Sequence, residues 1–181
     1  MSDVNEQFSR LFFEQCGFLV RTNVKYYVRK TGNVGGDSDI DLVVFNLKPD
    51  KLNPPSEFIL TEQSLKGVEY AIVESKGWHE QNFSPSVIDR NPRIFNFVRQ
   101  ESVEKAKEVF GTAHFRKILV ISSLSPDEPF RQNAIDALRK GGIDHVVEFD
   151  TIVHKLWNEI EVNKDYRSEI LQTMRLVKKY I

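Results

Sequence analysis

The chain has 181 residues, 40% of them hydrophobic and 28% charged, with a formal net charge of −1. That content suffices to build the core of a single domain over residues 1–181 and excludes disordered, collagen-like and coiled-coil classes; near-neutrality excludes a uniformly basic, histone-like binder. One cysteine, Cys16, rules out an internal disulfide and a cysteine-built zinc site.

In chain order, Val4, Phe8, Leu11, Phe12 and Cys16 recur at helical spacing. They predict a helix over residues 4–18, opened by an Asp3/Glu6 capping box and closed by Gly17. Residues 23–29 are β-branched and aromatic and read as extended. The glycine-rich stretch 31–37 must turn. Residues 39–47 read as a strand whose centre, Leu42-Val43-Val44-Phe45, suits burial on both faces. A polar insertion follows at 48–66, with Pro49, Pro54 and Pro55 and a short extended piece at 57–60.

The second half alternates. Residues 68–74 read as a strand, 77–91 as an irregular loop, 93–110 as a helix ending at Gly111, and 117–122 as a buried strand. Ser125-Pro126-Asp127-Glu128 reads as a capping box for a helix whose face is Phe130, Ala134 and Leu138, stopped by Gly141. A short strand at 145–149 and helices at 151–160 and 166–180 complete the chain, the last with an Ile170, Met174, Val177, Ile181 stripe. The order α-β-β-β-α-β-α-β-α-α predicts a mixed α/β sheet with its later strands parallel. Residues 1–125 form the motif region, and 126–181 extend the same domain.

The chemistry sits at strand ends. Asp41 opens the apolar strand, and Glu74-Ser75-Lys76 closes the next. Alternate strand residues share a face, so Glu74 and Lys76 project together while Ser75 offers its carbonyl. If the strands pair, Asp41 and Glu74 meet at one end. Two carboxylates and a backbone oxygen suit Mg²⁺ or Mn²⁺, with a lysine to orient a water nucleophile. Acidic residues at a strand entrance are also ordinary turn residues, and Glu-x-Lys is also a common solvated pair. Asp39 shares a strand side with Asp41 and competes for its role.

This ordered set resembles the PD-(D/E)xK, restriction-endonuclease-like nuclease superfamily. There a helical Glu precedes an Asp at a strand opening and a Glu/Asp-x-Lys at the end of the next strand, here Glu6, Asp41 and Glu74-Ser75-Lys76. The first helix, running from Glu6 to Gly17-Phe18-Leu19-Val20, is similar to archaeal Holliday junction resolvases and Mrr-type endonucleases. Ile40 stands where the motif usually has Pro, and the 48–66 insertion lengthens the gap between the carboxylates and is expected to lie beside the site.

The resemblance implies a central mixed sheet flanked by helices and Mg²⁺-dependent endonucleolytic hydrolysis of DNA. Asp41, Glu74 and the Ser75 carbonyl would hold the metal, Lys76 would position the water, and Glu6 would assist or serve only as a helix cap. Trp78, His79 and Gln81 follow the motif as candidate substrate contacts, with Arg90, Arg93 and Arg99 as candidate phosphate contacts. A homodimer is also implied.

Two alternatives stand beside it. Ser38-Asp39-Ile40-Asp41-Leu42 resembles the signature of DNA-polymerase-β-type nucleotidyltransferases, which would pair Asp39 with Asp41, but the upstream Gly-Ser pair of that family is missing. The other is a nuclease-fold DNA-binding module without catalysis.

Charge placement fits a phosphodiester substrate. Residues 31–75 carry three basic and eight acidic side chains, whereas 1–30 carry five and three, and 76–118 carry eight and five. Lys25, Arg29, Lys30, Lys105 and Lys107 add to the candidate phosphate contacts; the two on the helix equally suit a solvated face. No apolar run approaches the roughly 18–20 residues that span a bilayer, and the N-terminus lacks signal-peptide character, so no membrane partner and a cytoplasmic location are expected.

Overall fold

The computed structural model describes residues 3–30, 33–77 and 82–181, the side chains of 29, 30 and 33–35 excepted. The expected element order holds, with three short additions. Helix α1 (Val4–Gln15) leads into strands β1 (Phe18–Lys30) and β2 (Asn33–Asn46). Helix α2 (Glu62–Leu65), β3 (Tyr70–Lys76), α3 (Pro85–Arg90), a 3-10 helix (Pro92–Val98) and α4 (Gln100–Phe110) follow. The chain ends with β4 (Arg116–Ile121), α5 (Glu128–Lys140), β5 (His145–Glu148), α6 (Phe149–Glu159) and α7 (Glu169–Tyr180).

The sheet has the sequential order β1-β2-β3-β4-β5. β1–β2 and β2–β3 are antiparallel, and β3–β4 and β4–β5 are parallel. Helical crossovers carry the chain between the parallel strands, as that direction requires. One face packs Leu42, Val44, Ala71, Val73, Ile118 and Val120 against Phe12 and Phe13 of α1 and Ile152 and Leu156 of α6. The other packs Val43, Ile72, Leu119 and Ile121 against Ile94, Phe97, Ala106, Ala134 and Leu138. Burial on both faces explains the unbroken apolar runs of β2 and β4.

Several elements depart from the sequence expectation. α1 stops at Gln15, with Gly17 in the left-handed conformation (φ 87°), and its buried face is Ser9, Phe12 and Phe13, with Val4 exposed. Gly36 and Asp37 belong to β2 and pair with Val28 and Tyr27, so the ladder runs through much of the expected turn; Thr31 and Gly32 lie outside the described residues. The 77–91 loop contains α3, and a 3-10 helix replaces the first half of the long helix, each with proline in its first turn. α5 starts after Asp127, whose side chain makes no capping bond, and the Ser125 hydroxyl accepts from the Asp127 N–H, so the expected capping box does not form. Core contact begins one turn after Phe130, which is 56% exposed, and includes Ala134, Ile135 and Leu138. On α7 the buried residue is Leu171, while Val177 and Ile181 are exposed.

The insertion lies away from its expected place. It joins Asn46 to Tyr70, the end of β2 and β3 opposite Asp41 and Glu74. Phe58 and Leu60 exchange 2.8 Å backbone hydrogen bonds with Val146, so the segment covers the free edge of β5.

One irregularity positions the site. β3 pairs with β2 only from Leu42 to Phe45, while β1 and β2 continue together as a two-stranded arm. Where the arm leaves the sheet, Thr22 pairs with Leu42 and Val24 with Ile40, leaving Asn23 opposite Asp41. Asn23 has φ 53°, a left-handed conformation that Asn tolerates and β-branched residues resist. The even residues of β1 change sides there: Phe18 packs beneath α1, whereas Val24 and Tyr26 join the opposite core. Asn23→Gly is therefore expected to be tolerated, and Asn23→Val to cost about 1–2 kcal/mol, read by urea denaturation; equal midpoints for the two variants would contradict the strain at this kink.

Candidate active site at the ends of β2 and β3

Asp41 is the first β2 residue beyond the β2–β3 ladder, directly after the Leu42–Val73 pair. Continuing that register sets it opposite Glu74. Its side chain takes over the missing ladder contact: Asp41 Oδ2 accepts a 2.8 Å hydrogen bond from the Ser75 backbone N–H. Lys76 Nζ lies 2.5 Å from Glu74 Oε1, so the two side chains project together, as alternation along β3 requires. Asp41, Glu74 and Ser75 are buried, while the Lys76 side chain keeps 23% of its surface open.

Helix α1 covers this end of β3. The Ser9 hydroxyl donates to the Asn5 carbonyl at 2.9 Å and lies 3.0 Å from the Ser75 hydroxyl. Asp3 caps the helix through Asn5, and Glu6 accepts from the Asp3 backbone, so the helix-cap role of Glu6 is real. Glu6 also lies close enough to Asp41 and Lys76 for its charge to act on both.

The electrostatics follow from two carboxylates sharing one lysine out of water. Burial, and then the Asp41 charge, push Glu74 up to about 7 against the help of Lys76. Burial also raises Asp41, despite the Ser75 N–H and Lys76, and burial with the Asp41 charge raises Glu6. For Lys76, burial pulls downward but the Glu74 and Asp41 charges outweigh it, holding the ammonium above its ordinary value. Asp41, Glu74 and Lys76 fully ionised leave one uncompensated negative charge in a low-dielectric site, an arrangement that a bound cation relieves.

The donor chemistry is compatible with a hard divalent ion. Among the described residues no group of three or more His, Cys, Asp and Glu side chains gathers to hold a metal. Two carboxylates and the Ser75 carbonyl, with waters completing an octahedron, match the way Mg²⁺ is commonly bound, because it keeps much of its hydration shell.

The other candidates divide. Asp39 is engaged across the hairpin, its Oδ2 2.9 Å from Lys25 Nζ. Arg99, exposed at the start of α4, acts electrostatically on the Tyr26 hydroxyl, which also feels Glu74 and lies 3.4 Å from the Asn96 carbonyl. Tyr26 thus ties the arm to the wall that carries Arg99. Arg93 is exposed on the 3-10 helix, and exposed Arg90 bonds the Ser86 carbonyl of its own helix. Lys105 pairs with Glu108 on the helix surface at 3.0 Å, and Lys107 is exposed. Trp78, His79 and Gln81, and the side chains of Arg29 and Lys30, lie outside the described residues. Sequence reading passed over Tyr26, Ser9 and Asn5; the one signal for the helix pair was a small polar residue, Ser9, on the apolar side of α1.

No family model, curated protein or solved structure matches this chain.

Glu74 adds a falling slope to the pH response of the metal-free protein, in the same direction as the raised Asp41 and Glu6 and against the lowered His145. The Glu74 carboxyl titrates near 4.5 in the unfolded chain and near 7 in the fold, so the folded state holds the proton more tightly. The stabilisation is complete below the lower value and is lost as pH rises through the upper one. In EDTA, the melting temperature is expected to fall between about pH 5 and 8, and Glu74→Gln is expected to flatten that slope. A slope unchanged in the variant would contradict the assignment to Glu74.

Proposed function

We propose that this chain is a divalent-metal-dependent endonuclease that hydrolyses DNA phosphodiester bonds, built on a restriction-endonuclease-like core. The observation that carries this reading is the register-opposed, buried Asp41 and Glu74 with Lys76 Nζ on the Glu74 carboxylate. The α-β-β-β-α-β order with β3 parallel to β4 supports it, as does the similarity of Glu6, Asp41 and Glu74-Ser75-Lys76 to the superfamily motif.

In this reading Asp41, Glu74 and the Ser75 carbonyl hold Mg²⁺ or Mn²⁺. When bound, the ion supplies Lewis acidity to a phosphate oxygen and lowers the pKa of a coordinated water. The protein's own groups do the positioning. The Ser75 N–H holds one Asp41 oxygen. Lys76, drawn toward Glu74, points its ammonium to the same side as the carboxylates, where it orients the attacking water and balances charge building on the phosphorus-bound oxygens. The attacking water passes one proton to solvent as its oxygen forms the new P–O bond, the bond to the leaving sugar oxygen breaks, and that oxygen takes up a proton from solvent. Glu6, beside Asp41 and Lys76, helps order water at the helix start. Arg99 contributes phosphate contacts from the adjoining wall. A two-fold dimer belongs to the proposal by resemblance.

The nucleotidyltransferase reading needs Asp39 and Asp41 to converge on metals. Asp39 is instead paired with Lys25, and Lys76 turns toward Glu74, where that reading gives it no part. A non-catalytic module would use the Lys76–Glu74 contact only as a partly buried ion pair, like Arg131–Glu148 elsewhere in the fold, and it predicts no cleavage. No helix among the described residues is long and apolar enough to cross a membrane.

Supercoiled, linear and four-way DNA incubated with Mg²⁺ test the proposal. Lys76→Ala is expected to lower cleavage by roughly 10²- to 10⁴-fold while leaving the circular dichroism spectrum and the melting curve cooperative. Cleavage equal to wild type in Lys76→Ala would place the activity elsewhere.

A further inference from the structure

The residues on both sides of Lys76 meet the first two turns of α1. On the N-terminal side, the Ser75 hydroxyl lies 3.0 Å from that of Ser9, both buried. Ser9 gives its only hydrogen to the Asn5 carbonyl, so Ser75 is the donor in the second bond. A hydroxyl that bonds back one turn is a modest helix perturbation; here it presents an acceptor to the strand. On the C-terminal side, Gly77 runs so close to α1 that a Cβ at this position would overlap the side-chain amide of Asn5. That amide is itself held, its Nδ2 donating to Asp3 Oδ2 at 3.1 Å. Gly77 has no left-handed conformation, so the close approach to the Asn5 amide is what a side chain at this position would meet.

Asn5 and Ser9 are one helical turn apart and meet β3 residues that flank Lys76. The same short segment supplies the N–H that holds Asp41 and the carbonyl assigned to the metal. We propose that Asn5 and Ser9 are positioning residues that clamp the 75–77 main chain between them, fixing the Ser75 peptide and the Lys76 side chain for metal binding and catalysis. The clamp rests on the nuclease reading, and it gives α1 a task besides covering the core. Glu6, between the two clamp residues in sequence, is thereby held close to Asp41 and Lys76.

The contact on Gly77 permits a suppression test. Mn²⁺ binding is measured by electron paramagnetic resonance of free Mn²⁺, and DNA cleavage is measured in parallel as kcat and KM. The proteins are wild type, Asn5→Ala, Gly77→Ala, the Asn5→Ala/Gly77→Ala double variant and Ser9→Ala. Gly77→Ala is expected to weaken Mn²⁺ binding roughly ten- to hundredfold, as supporting-shell changes do, and to lower kcat more than it raises KM. Adding Asn5→Ala removes the overlap, so the double variant is expected to return to the milder level of Asn5→Ala alone. Ser9→Ala is expected to weaken Mn²⁺ binding severalfold with the cooperative melt retained.

Gly77→Ala binding Mn²⁺ as wild type does, or a double variant as impaired as Gly77→Ala, overturns the clamp at Asn5. Wild-type Mn²⁺ affinity in Ser9→Ala overturns the clamp at Ser9. Wild type that binds no Mn²⁺ and cleaves no DNA overturns the nuclease reading and the clamp with it, a result distinct from failure of the variants alone.

Discussion

Two carboxylates placed side by side out of water and sharing one lysine govern the local architecture. Asp41 and Glu74 sit at facing positions of adjacent strands and are largely buried. Each resists ionisation because of its burial, and the Asp41 charge raises Glu74 further. Such a pair is a burden on folding unless it is matched. The fold answers with a backbone N–H for one and an ammonium for the other, and with no further cation in direct ion-pair contact with either among the described residues. When Glu74 is ionised one negative charge is left over, and in the proposed reading that is the charge a divalent ion would relieve.

The geometry around that pair is explained by the same demand. β2 cannot continue its ladder with β3 past Leu42 if Asp41 is to turn its carboxylate onto the Ser75 N–H. The arm therefore departs there, and Asn23 takes the conformation that lets the two strands roll together. The roll carries Tyr26 to the 3-10 helix, where its hydroxyl feels both Arg99 and Glu74. On the other face, α1 closes over Ser75 and Gly77. The helix that closes over the site adds the carboxylates Asp3 and Glu6 to it, while Arg99 on the opposite wall is exposed.

Much of this was legible in the sequence because it follows from local pattern. The Leu42–Phe45 run marks a strand buried on both faces, and the same logic makes Asp41, at its edge, conspicuous. Period-two alternation was enough to put Glu74 and Lys76 on one side of β3. What escaped reading depends on contacts distant in sequence. Strict alternation along β1 misassigns Val24 and Tyr26, because the reversal at Asn23 has no signature in hydrophobic pattern. The insertion looked like a neighbour of the site because it lies between the two motif halves, yet the antiparallel pairing sends it to the far end. Pro85 read as a loop residue but starts a short helix. The Asn5–Gly77 approach is a packing relation between residues 72 positions apart, so a lone glycine after Lys76 could only be read as a turn.

The central claim is that one divalent ion completes the Asp41/Glu74 pair, and diffraction from Mn²⁺-soaked crystals at a wavelength that enhances manganese anomalous scattering tests it most directly. The expected result is a single anomalous peak bonded to one oxygen each of Asp41 and Glu74 and to the Ser75 carbonyl, with Lys76 beside it and Asp39 still on Lys25. A peak between Asp39 and Asp41 with Lys76 turned away, or no peak at this end of the sheet at saturating Mn²⁺, would contradict it.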